Sequence, residues 1–557
     1  MVTESGVKAN ETPGAKIDIE MAYFKRKSSG LNRVMSPYSA FIYNILNIAP
    51  IFPWVYLLSA GAFPGANIWL GILITGAFAT FLAVSYSGIA SVMPRTGGDY
   101  VFQSRVLGPL IGFPVVATMI LFWFLQWDAI AGWLVSVIGI SPLFVGLGVS
   151  FHSVALISLG QWFLSSLGIW ITTIVVGAIA TITLIKGLQW FVKLQYVMWY
   201  SFLLAFALIV ILFLVTPHLA FVASYNRITS MISPSSPSNY YSYVMNYEAS
   251  QGFHYINKFS FVATLGVLPI ALTSLGWVGY AQEQAGEIKQ ANSFKKQLFI
   301  NLGGGVTATL MMALLAFSLT RAVGAAWLGA AAYGSYVTSN IAMPIAPWFS
   351  SLVVTMTSNP VLIAIIAFGI FMASLQIVYN VYIGQTRVAI AASIDRILPA
   401  WVSKINKKTG TPLNIQVAFF ILGTVIYSYV YNFIPMWTHY ALAVTAVSTI
   451  MYMGTAISAA LMPRRLKESY ASSEVSKYKF LGIPLVSFAG IIAALFSVWM
   501  LFYYVTVPSL GVASNPSYML MVGIFIGWLL YYIVRRYQLL RKEGVDLNMN
   551  FKYIPPT

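Results

Sequence analysis

The chain reads Asn47-Ile48-Ala49-Pro50-Ile51-Phe52-Pro53 inside its first apolar stretch, and Thr273-Ser274-Leu275-Gly276-Trp277-Val278-Gly279 inside its sixth. Proline removes a helix hydrogen-bond donor and glycine loosens the backbone, and Pro269 precedes the second run. Both stretches are therefore predicted to unwind near the middle of a membrane. Bare peptide groups at that depth are tolerated only where they line a cavity or bind something. Two such breaks, at corresponding places of two halves, are typical of a transporter's substrate site.

The composition requires lipid as the solvent for most of the chain. Hydrophobic residues make up 59% of the 557 positions, only 8% are charged, and the mean hydropathy is +0.79. A soluble protein of this size could not cover its surface with so few charges. The absence of cysteine excludes disulfides and thiolate metal sites. The first 30 residues are polar, which predicts a disordered tail outside the bilayer and no cleavable signal peptide.

Windows of about 20 apolar residues predict an all-α polytopic membrane protein with twelve spans. The runs are too long for membrane strands and do not alternate in polarity. The boundary between spans 4 and 5 is the least clear, because only four residues separate them. The predicted spans are 36–61, 67–92, 109–138, 166–185, 190–216, 258–282, 298–321, 359–386, 413–432, 437–461, 482–507 and 516–535.

The distribution of lysine and arginine sets the orientation of these spans. With the N-terminus in the cytoplasm, 28 of the 31 basic residues fall in cytoplasmic segments, and only Arg227, Lys258 and Arg321 fall outside. This asymmetry predicts a multi-pass plasma-membrane protein with both termini cytoplasmic. It also explains the net charge of +17 as membrane topology, so no nucleic-acid partner is expected.

The layout of the spans predicts an inverted repeat. Span 6 begins near Lys258, 222 residues after span 1 begins near Ser36, and the same offset carries Pro50 to position 272, inside the second break. With five helices in each unit, the second unit enters the membrane from the opposite side. The predicted organisation is a cytoplasmic tail (1–35), a first five-helix repeat (36–216), an extracellular loop (217–257), a second five-helix repeat (258–461), a cytoplasmic loop (462–481), helices 11 and 12 (482–535) and a cytoplasmic tail (536–557).

Three predicted cytoplasmic segments carry motifs of a known family. Met93-Pro94-Arg95-Thr96-Gly97-Gly98-Asp99-Tyr100 with Leu107-Gly108-Pro109 resembles the Pro-x-Ser/Thr-Gly-Gly-x-Tyr…Leu-Gly-Pro signature of the amino acid–polyamine–organocation superfamily. Gly286-Glu287-Ile288-Lys289 is similar to its Glu-Glu-Val-Lys turn. After span 8, the chain resembles the family's Ser-Arg-x-x-x-Ala…Asp-Gly…Pro…Gly-Thr-Pro segment at Thr386-Arg387, Ala391, Asp395-Arg396, Leu398-Pro399 and Lys407-Lys408-Thr409-Gly410-Thr411-Pro412.

The resemblance covers roughly residues 36–461. It implies the five-plus-five inverted-repeat fold with discontinuous helices 1 and 6 and two added helices. It also implies transport of an amino acid or related amine, by symport or exchange. Gly97-Gly98 is expected to form a tight turn into a short interfacial helix, with Tyr100 and Phe102 at the level of the lipid headgroups.

The two breaks are the predicted substrate site, because half-helix N-termini suit a carboxylate and exposed carbonyls suit an ammonium group or a cation. In the family, helix 1 carries a glycine-rich segment at this place, whereas this chain has no glycine there and two prolines. The alternative is that the prolines only kink packed helices. The predicted binding residues are Ile48, Ala49, Pro50, Ile51, Thr273, Ser274, Leu275, Gly276 and Trp277, with Trp277 as an aromatic lid.

Charged residues give candidates for gating or coupling. Asp128 is the only acid well inside a predicted span, in the outer half of helix 3, and Trp127 beside it suggests a lined vestibule. Asp128 could bind a substrate ammonium or cycle a proton, or it could be a hydrogen-bonded structural residue. Glu287, Asp395 and Arg396 could form a cytoplasmic gate with Arg95 or Arg105, or a solvated charged face.

The coupling ion, H⁺ or Na⁺, stays open at this level. Some proton-coupled family members carry a lysine within helix 5, but here Lys193 lies at its cytoplasmic start and no basic residue follows through Thr216. A sodium site would combine a helix 1 carbonyl with a helix 8 hydroxyl, for which Ala49 and Ser374 are the candidates. Gln376, Tyr379 and Asn380 are polar on the same helix, and packing between helices explains them equally well.

No enzyme is predicted. The four histidines lack metal-ligand spacing, and the chain shows no serine elbow or phosphate-binding glycine loop. No catalytic residue, cofactor or metal is expected, and no channel filter is visible. The alternative to an amino acid transporter is a transporter of the same fold for another small organic solute, such as a nucleobase or an organic cation.

Overall fold

The computed structural model describes residues 31–256, 258–406, 408–434, 443–510 and 515–554. Most of the predicted tail 1–35, Lys407 and the first residues of predicted span 10 lie outside this part. Within it, twelve helices are long and apolar enough to cross a membrane, as predicted. They are helix 1 (Pro37–Ile48 and Pro53–Ala62), helix 2 (Ile68–Val92), helix 3 (Pro109–Ser150), helix 4 (Ser166–Lys186), helix 5 (Leu188–Val215), helix 6 (Phe261–Leu275, then Gly276–Glu283), helix 7 (Phe294–Val323), helix 8 (Pro360–Ile394), helix 9 (Leu413–Phe433), helix 10 (Ala443–Arg465), helix 11 (Leu485–Thr506) and helix 12 (Asn515–Glu543).

Three helices end at least eight residues beyond the apolar windows that predicted them. Helix 3 continues to Ser150, helix 8 to Ile394 and helix 12 to Glu543. In helix 8 the extra residues are buried against other elements. Protein, not lipid, surrounds that end, so the helix can continue beyond the apolar window. Helix 3 contains two π-helical segments, Ala117–Trp123 and Val135–Ile140.

The loops hold shorter elements, including two helices in the long loop that was predicted at 217–257. The Ser- and Pro-rich run 233–238 lies between these two helices. The shorter helices and strands are Gly98–Val106, Val154–Trp162, His218–Ile232, Tyr240–Ser250, Ala285–Glu287, Ala325–Ala332, Tyr333–Val337, Phe349–Val353, Val354–Met356, Lys467–Ala471, Glu474–Lys477, Pro508–Leu510 and Leu547–Phe551, with the antiparallel pair β1 (Lys479–Phe480) and β2 (Ile483–Pro484).

Equivalent helices of the two five-helix units pack against each other. Helix 1 contacts helix 6, helix 2 contacts helix 7, helix 3 contacts helix 8, and helix 4 contacts helix 9. This pairing is expected for units related by a two-fold axis in the membrane plane. Helix 1 also packs against helices 5, 7 and 8, so its break lies at the centre of the bundle.

The two sides of the bundle can be named by their loops. The side from which helix 1 begins carries the loops after helices 2, 6 and 8, which hold most of the inter-helix lysines and arginines. We call it the basic side. The opposite side carries the helices His218–Ile232 and Tyr240–Ser250.

Candidate functional site

Helix 1 is interrupted where the sequence predicts it. Ala49 adopts a left-handed conformation with φ of 56°, and the second half-helix starts at Pro53. Pro50 and Pro53 have no amide hydrogen, so the helical hydrogen-bond ladder cannot run through the segment. The Phe52 amide donates to the Ala49 carbonyl at 2.8 Å, and the Tyr56 hydroxyl donates to the Pro50 carbonyl. These bonds hold the break in a defined shape.

Helix 6 changes its helical type where unwinding was predicted. The α-helix runs through Pro269 to Leu275 and continues as a 3₁₀ helix from Gly276 to Glu283. The prediction of an unwound segment is therefore wrong in form, although the discontinuity lies at the predicted glycines. The reason is packing: a Cβ atom at Gly276 would overlap the ring of Tyr452, and one at Gly279 would overlap the ring of Tyr86. The glycines admit these two rings.

A small cavity of about 20 Å³ lies between helices 1, 3, 6 and 8 at the two discontinuities. It includes five of the nine predicted binding residues, together with the gating candidate Trp127. The other four, Pro50, Ile51, Leu275 and Gly276, are neighbours of lining residues without lining the cavity. The lining consists of Asn47, Ile48, Ala49, Phe52, Phe124, Trp127, Thr273, Ser274, Trp277, Ile377 and Val381.

Aromatic side chains form much of the cavity wall. The ring of Trp277 lies 5.2 Å from that of Phe124 and 6.3 Å from that of Trp127, between ring centroids. Phe52 packs on Trp127 at 5.6 Å. Trp277 is 6% exposed, and its role as an aromatic lid stays a prediction.

A second aromatic cluster lies on the side of the cavity opposite the basic side. Trp54 of helix 1 packs on Trp133 of helix 3 at 4.5 Å between ring centroids. Trp348, from the loop before helix 8, packs on Trp133 at 5.0 Å and on Tyr336 at 4.5 Å. Helices 1 and 3 are thereby joined to this loop above the cavity.

Two buried ion pairs lie on the basic side. Arg105, in the short helix Gly98–Val106, pairs with Asp395 at the end of helix 8, with 2.6 Å between Nη2 and Oδ2. Glu287, after helix 6, pairs with Arg387 of helix 8 through bonds of 2.7 and 2.8 Å. All four side chains are nearly fully buried.

These contacts decide between the two interpretations of the charged residues. A solvated face is wrong for Asp395 and Glu287, because both are buried. The partner predicted for Asp395 is right, whereas Glu287 takes Arg387 in place of Arg95 or Arg105. Arg396 pairs instead with Glu543 of helix 12, at a partly exposed site. The short helix Gly98–Val106 is also buried, with Tyr100 and Phe102 inaccessible. These rings therefore pack against protein, and their depth at the level of the lipid headgroups stays a prediction.

Comparison with known protein families agrees with this architecture. A family model for amino acid permeases matches residues 37–526. The chain belongs to the amino acid permease family. This confirms the resemblance to the amino acid–polyamine–organocation superfamily and makes the protein a membrane transporter. The search of curated proteins found no match.

The permease also holds a pair of buried carboxyl groups that the motif analysis did not select. The Asp99 amide donates to Glu283 Oε1 at 3.3 Å, and Asp99 Oδ1 accepts from the hydroxyls of Tyr86 (2.6 Å) and Thr455. Burial raises the pKa of Asp99. Within the described residues neither carboxyl has a lysine or arginine partner. Ionisation of both groups at once is therefore unfavourable.

Asp128 lies behind the cavity wall of the permease. Helix 3 has 42 residues, so Asp128 falls near its middle, and the prediction that it lies in the outer half is wrong because helix 3 is longer than predicted. The carboxylate accepts from Gln385 Nε2 of helix 8 at 3.3 Å and faces Gly423 of helix 9. Trp127 lines the cavity and Asp128 does not, so direct contact with a substrate ammonium is disfavoured. A role in proton cycling stays a prediction.

Two buried hydroxyls beside the breaks lack partners. The Oγ atoms of Ser274 and Ser374 are buried and make no hydrogen bond among the described residues. Ser274 lines the cavity, and Ser374 is the predicted sodium ligand on helix 8. Of the polar positions noted on helix 8, Gln376 donates to Asn380 at 2.7 Å and to Gln195 of helix 5 at 3.3 Å. The bond between Gln376 and Gln195 therefore links helix 8 to helix 5.

Sequence reasoning missed five of the cavity residues. Phe52 and Asn47 belong to the quoted helix 1 run and could have been included. Phe124, Ile377 and Val381 belong to helices 3 and 8, where they look like any apolar residue of a membrane span. Asp99 was quoted within a family motif, but its pairing with Glu283 depends on how the loop after helix 2 folds against helix 6.

Proposed function

We propose that the protein is a secondary active transporter that carries an amino acid or a related amine across the plasma membrane by alternating access. The observation that carries the proposal is the cavity at the helix 1 break, between helices 1, 3, 6 and 8. Unwound backbone at the middle of a membrane supplies amides and carbonyls for a zwitterion, and it is tolerated only in such a place. Ile48, Ala49, Thr273, Ser274 and Trp277 are the proposed contacts, with Pro50, Ile51, Leu275 and Gly276 shaping the two discontinuities.

Closure on both sides supports alternating access. The Trp54–Trp133–Trp348 cluster covers one side of the cavity, and the Arg105–Asp395 and Glu287–Arg387 pairs cover the other. Transport requires that the two closures open in turn. Glu287 and Asp395 are the proposed gating residues, while Arg396 attaches helix 12 to the end of helix 8.

The proposed orientation places the basic side in the cytoplasm, with both termini there. The five-helix repeats are proposed at 36–216 and 258–461, as the sequence layout predicts. The lipid bilayer and the transported solute are the proposed partners, with H⁺ or Na⁺ as coupling ion in symport, or a second solute in exchange. For sodium, the proposed ligands are the Ala49 carbonyl and the Ser374 hydroxyl, whose buried oxygen has no partner among the described residues.

The competing proposal is a transporter of the same fold for another organic solute, such as a nucleobase or an organic cation. Uptake of a labelled amino acid and amine panel into proteoliposomes separates the two, with sodium and pH gradients imposed one at a time. We expect accumulation of at least one amino acid. Absence of uptake and of competition by every amino acid and amine would overturn the proposal. Equal transport without either gradient would indicate exchange or facilitated transport.

The coupling ion has a separate test in Ser374→Ala. If sodium drives uptake, this variant should lose the sodium stimulation and keep solute exchange. Thr320→Ala is the control, because Thr320 bonds to carbonyls of its own helix near the end of helix 7. Unchanged sodium stimulation in Ser374→Ala would exclude this hydroxyl as a ligand.

A further inference from the structure

The cavity has no charged side chain in its wall. None of its eleven lining residues is Asp, Glu, Lys, Arg or His. Asp128 is adjacent in sequence to Trp127, but it bonds to Gln385 and faces helix 9. A charge on the side chain of a bound solute would therefore have no counter-charge within the wall. Burial of an unpaired charge is among the most costly events in a protein interior.

Eight of the eleven lining residues are instead apolar, and the other three are Asn47, Thr273 and Ser274. Phe52, Phe124, Trp127 and Trp277 supply four aromatic faces, and each such side chain can bury a large area against a ligand. Ile377 and Val381 lie one helical turn apart on helix 8, so they form a single aliphatic strip. Contact with these surfaces favours the binding of a large apolar group, because apolar area is removed from water, and it does not favour the binding of a small polar group.

A few polar groups remain to hold the common part of an amino acid. The Ser274 hydroxyl is 98% buried and lacks a partner among the described residues, although buried hydroxyls are nearly always hydrogen-bonded. At the helix 1 break, the Ile51 amide makes no hydrogen bond to any described group. The second half of helix 1 begins beside it, and its N-terminal end favours negative charge.

We propose that the cavity selects zwitterionic amino acids with a large, uncharged, apolar side chain, aromatic or branched aliphatic, and rejects basic and acidic amino acids and polyamines. The inference rests on the proposed transport function and narrows its substrate class. Trp127, Trp277, Phe124 and Ile377 are the specificity-determining side chains. Ser274 and the helix 1 break hold the α-amino and α-carboxylate groups, which all amino acids share.

The selectivity follows from the unequal costs of the two kinds of side chain. Phenylalanine or leucine places its side chain against Trp277 and Ile377 and leaves no polar group unpaired. Lysine or glutamate places a full charge against the same surfaces. Burial of an unpaired charge is costly enough to weaken binding by several orders of magnitude. We therefore expect the affinity for phenylalanine or leucine to exceed that for lysine or glutamate by at least about a hundredfold.

The first experiment measures binding to the purified full-length protein in detergent, without any need for transport. Phenylalanine, tryptophan and leucine should raise the thermal unfolding temperature, since a ligand that binds only the folded state stabilises it. Lysine, arginine, glutamate and putrescine should leave it unchanged at the same concentrations. The same compounds are then used as competitors of labelled leucine and phenylalanine uptake into proteoliposomes.

A variant tests whether the Trp277 side chain contributes to the preference for aromatic substrates. Trp277→Leu should weaken competition by phenylalanine and tryptophan by about threefold to tenfold, because it removes an aromatic face. Competition by leucine should change less. Trp401→Leu is the matched control, since Trp401 is 49% exposed in the loop after helix 8. If Trp277→Leu does not fold, the ligand panel on the unaltered protein still decides the question.

The outcomes separate this inference from the function on which it rests. Binding or competition by lysine or putrescine as strong as that by phenylalanine would overturn the selectivity and leave amino acid transport standing. Selectivity that is identical in Trp277→Leu and in the unaltered protein would remove Trp277 from the specificity-determining set. No response to any amino acid, in binding or in uptake, would overturn both proposals.

Discussion

At the scale of single residues, the break in helix 1 depends on an alanine in a conformation that favours glycine. Ala49 has φ of 56°, where the Cβ atom crowds the backbone at a cost of about 1–2 kcal/mol. The related family pattern has glycines in this segment, and this chain has two prolines that enforce the interruption instead. The segment therefore retains strain at a position that lines the cavity.

Replacement of Ala49 by glycine should relieve this strain. We expect Ala49→Gly to raise the free energy of unfolding by up to about 1 kcal/mol, as the left-handed conformation costs glycine nothing. Ala40→Gly in the regular part of the same helix is the control, and it should lower stability by about 1 kcal/mol. Thermal unfolding of both variants in the same detergent makes the comparison. A loss of stability in Ala49→Gly as large as that in Ala40→Gly would contradict the strain.

Asp99 predicts how stability changes with pH. Burial raises its pKa above the ordinary value of 3.8, so the folded protein favours the protonated carboxyl. Its stabilising contribution is complete below pH 3.8 and is lost as pH rises through the folded pKa. The thermal unfolding temperature should therefore fall as the pH rises from 3.8 through the pKa of Asp99 in the folded protein. Asp99→Asn should flatten this dependence, because the amide does not ionise.

Asp546, near the C-terminus, provides a control whose pKa is shifted in the opposite direction from that of Asp99. The Arg536 guanidinium lowers the pKa of Asp546, so the contribution of that pair is present above about pH 4 and is lost as pH falls through the folded pKa. Asp546→Asn should therefore leave the loss at rising pH in place. If Asp99→Asn keeps the full slope of the unaltered protein, the Asp99–Glu283 pair does not cause it.

At the scale of elements, helix 6 shows how a discontinuity can be built without unwinding. The change from α to 3₁₀ geometry at Gly276 shifts the hydrogen bonds by one residue while the segment stays helical. Tyr452 of helix 10 and Tyr86 of helix 2 pack directly on the glycine positions of this 3₁₀ segment. Helices 2, 6 and 10 are thus fitted to one another next to the cavity.

The close approach of Tyr86 predicts the effect of a single methyl group. Gly279→Ala should lower the free energy of unfolding by about 1–3 kcal/mol, because the added Cβ atom overlaps the Tyr86 ring and an overpacked core must shift. Gly523→Ala on helix 12 is the control, since no atom lies within 4 Å of its added Cβ. That change should stabilise the helix by up to about 1 kcal/mol. Equal effects at both positions would argue against the packing of Tyr86.

At the scale of the whole molecule, the two sides of the bundle carry different chemistry. An aromatic cluster lies on one side of the cavity, and buried ion pairs lie on the other. A buried pair is costly to break by removal of one partner, because the remaining charge is left without compensation. The proposed closure of the basic side therefore depends on complementarity of charge between the Gly98–Val106 helix, the segment after helix 6 and the end of helix 8.

Removal of one partner should open the basic side. We expect Arg105→Met to destabilise the protein by about 3–5 kcal/mol, and Arg105→Met with Asp395→Leu to recover most of that loss. Because the chain has no cysteine, a single cysteine at Ser274 can report access. Its labelling from the basic side should be faster in Arg105→Met than in the unaltered background. Equal labelling rates would exclude the pair as a closure.

The sequence predicted the spans and the helix 1 break because each depends on local chemistry. A run of about 20 apolar residues specifies a span, and Pro50 and Pro53 interrupt a helix wherever they stand. It predicted the partner of Asp395 only as one of two arginines, and it did not predict Arg387 for Glu287. Such pairs join segments about 100 or more residues apart, and nothing local chooses among the available charges.

The sequence by itself determined a twelve-helix membrane protein, its family and the places where helices 1 and 6 are discontinuous. These follow from hydropathy, from backbone donors that proline lacks, and from short motifs. Only the tertiary structure decided that helix 6 tightens where it was expected to unwind, that Asp128 faces away from the cavity, and that Asp99 meets Glu283. The physical reason is the same in each case: a side chain's role is set by what packs against it, and here the deciding neighbours come from other helices.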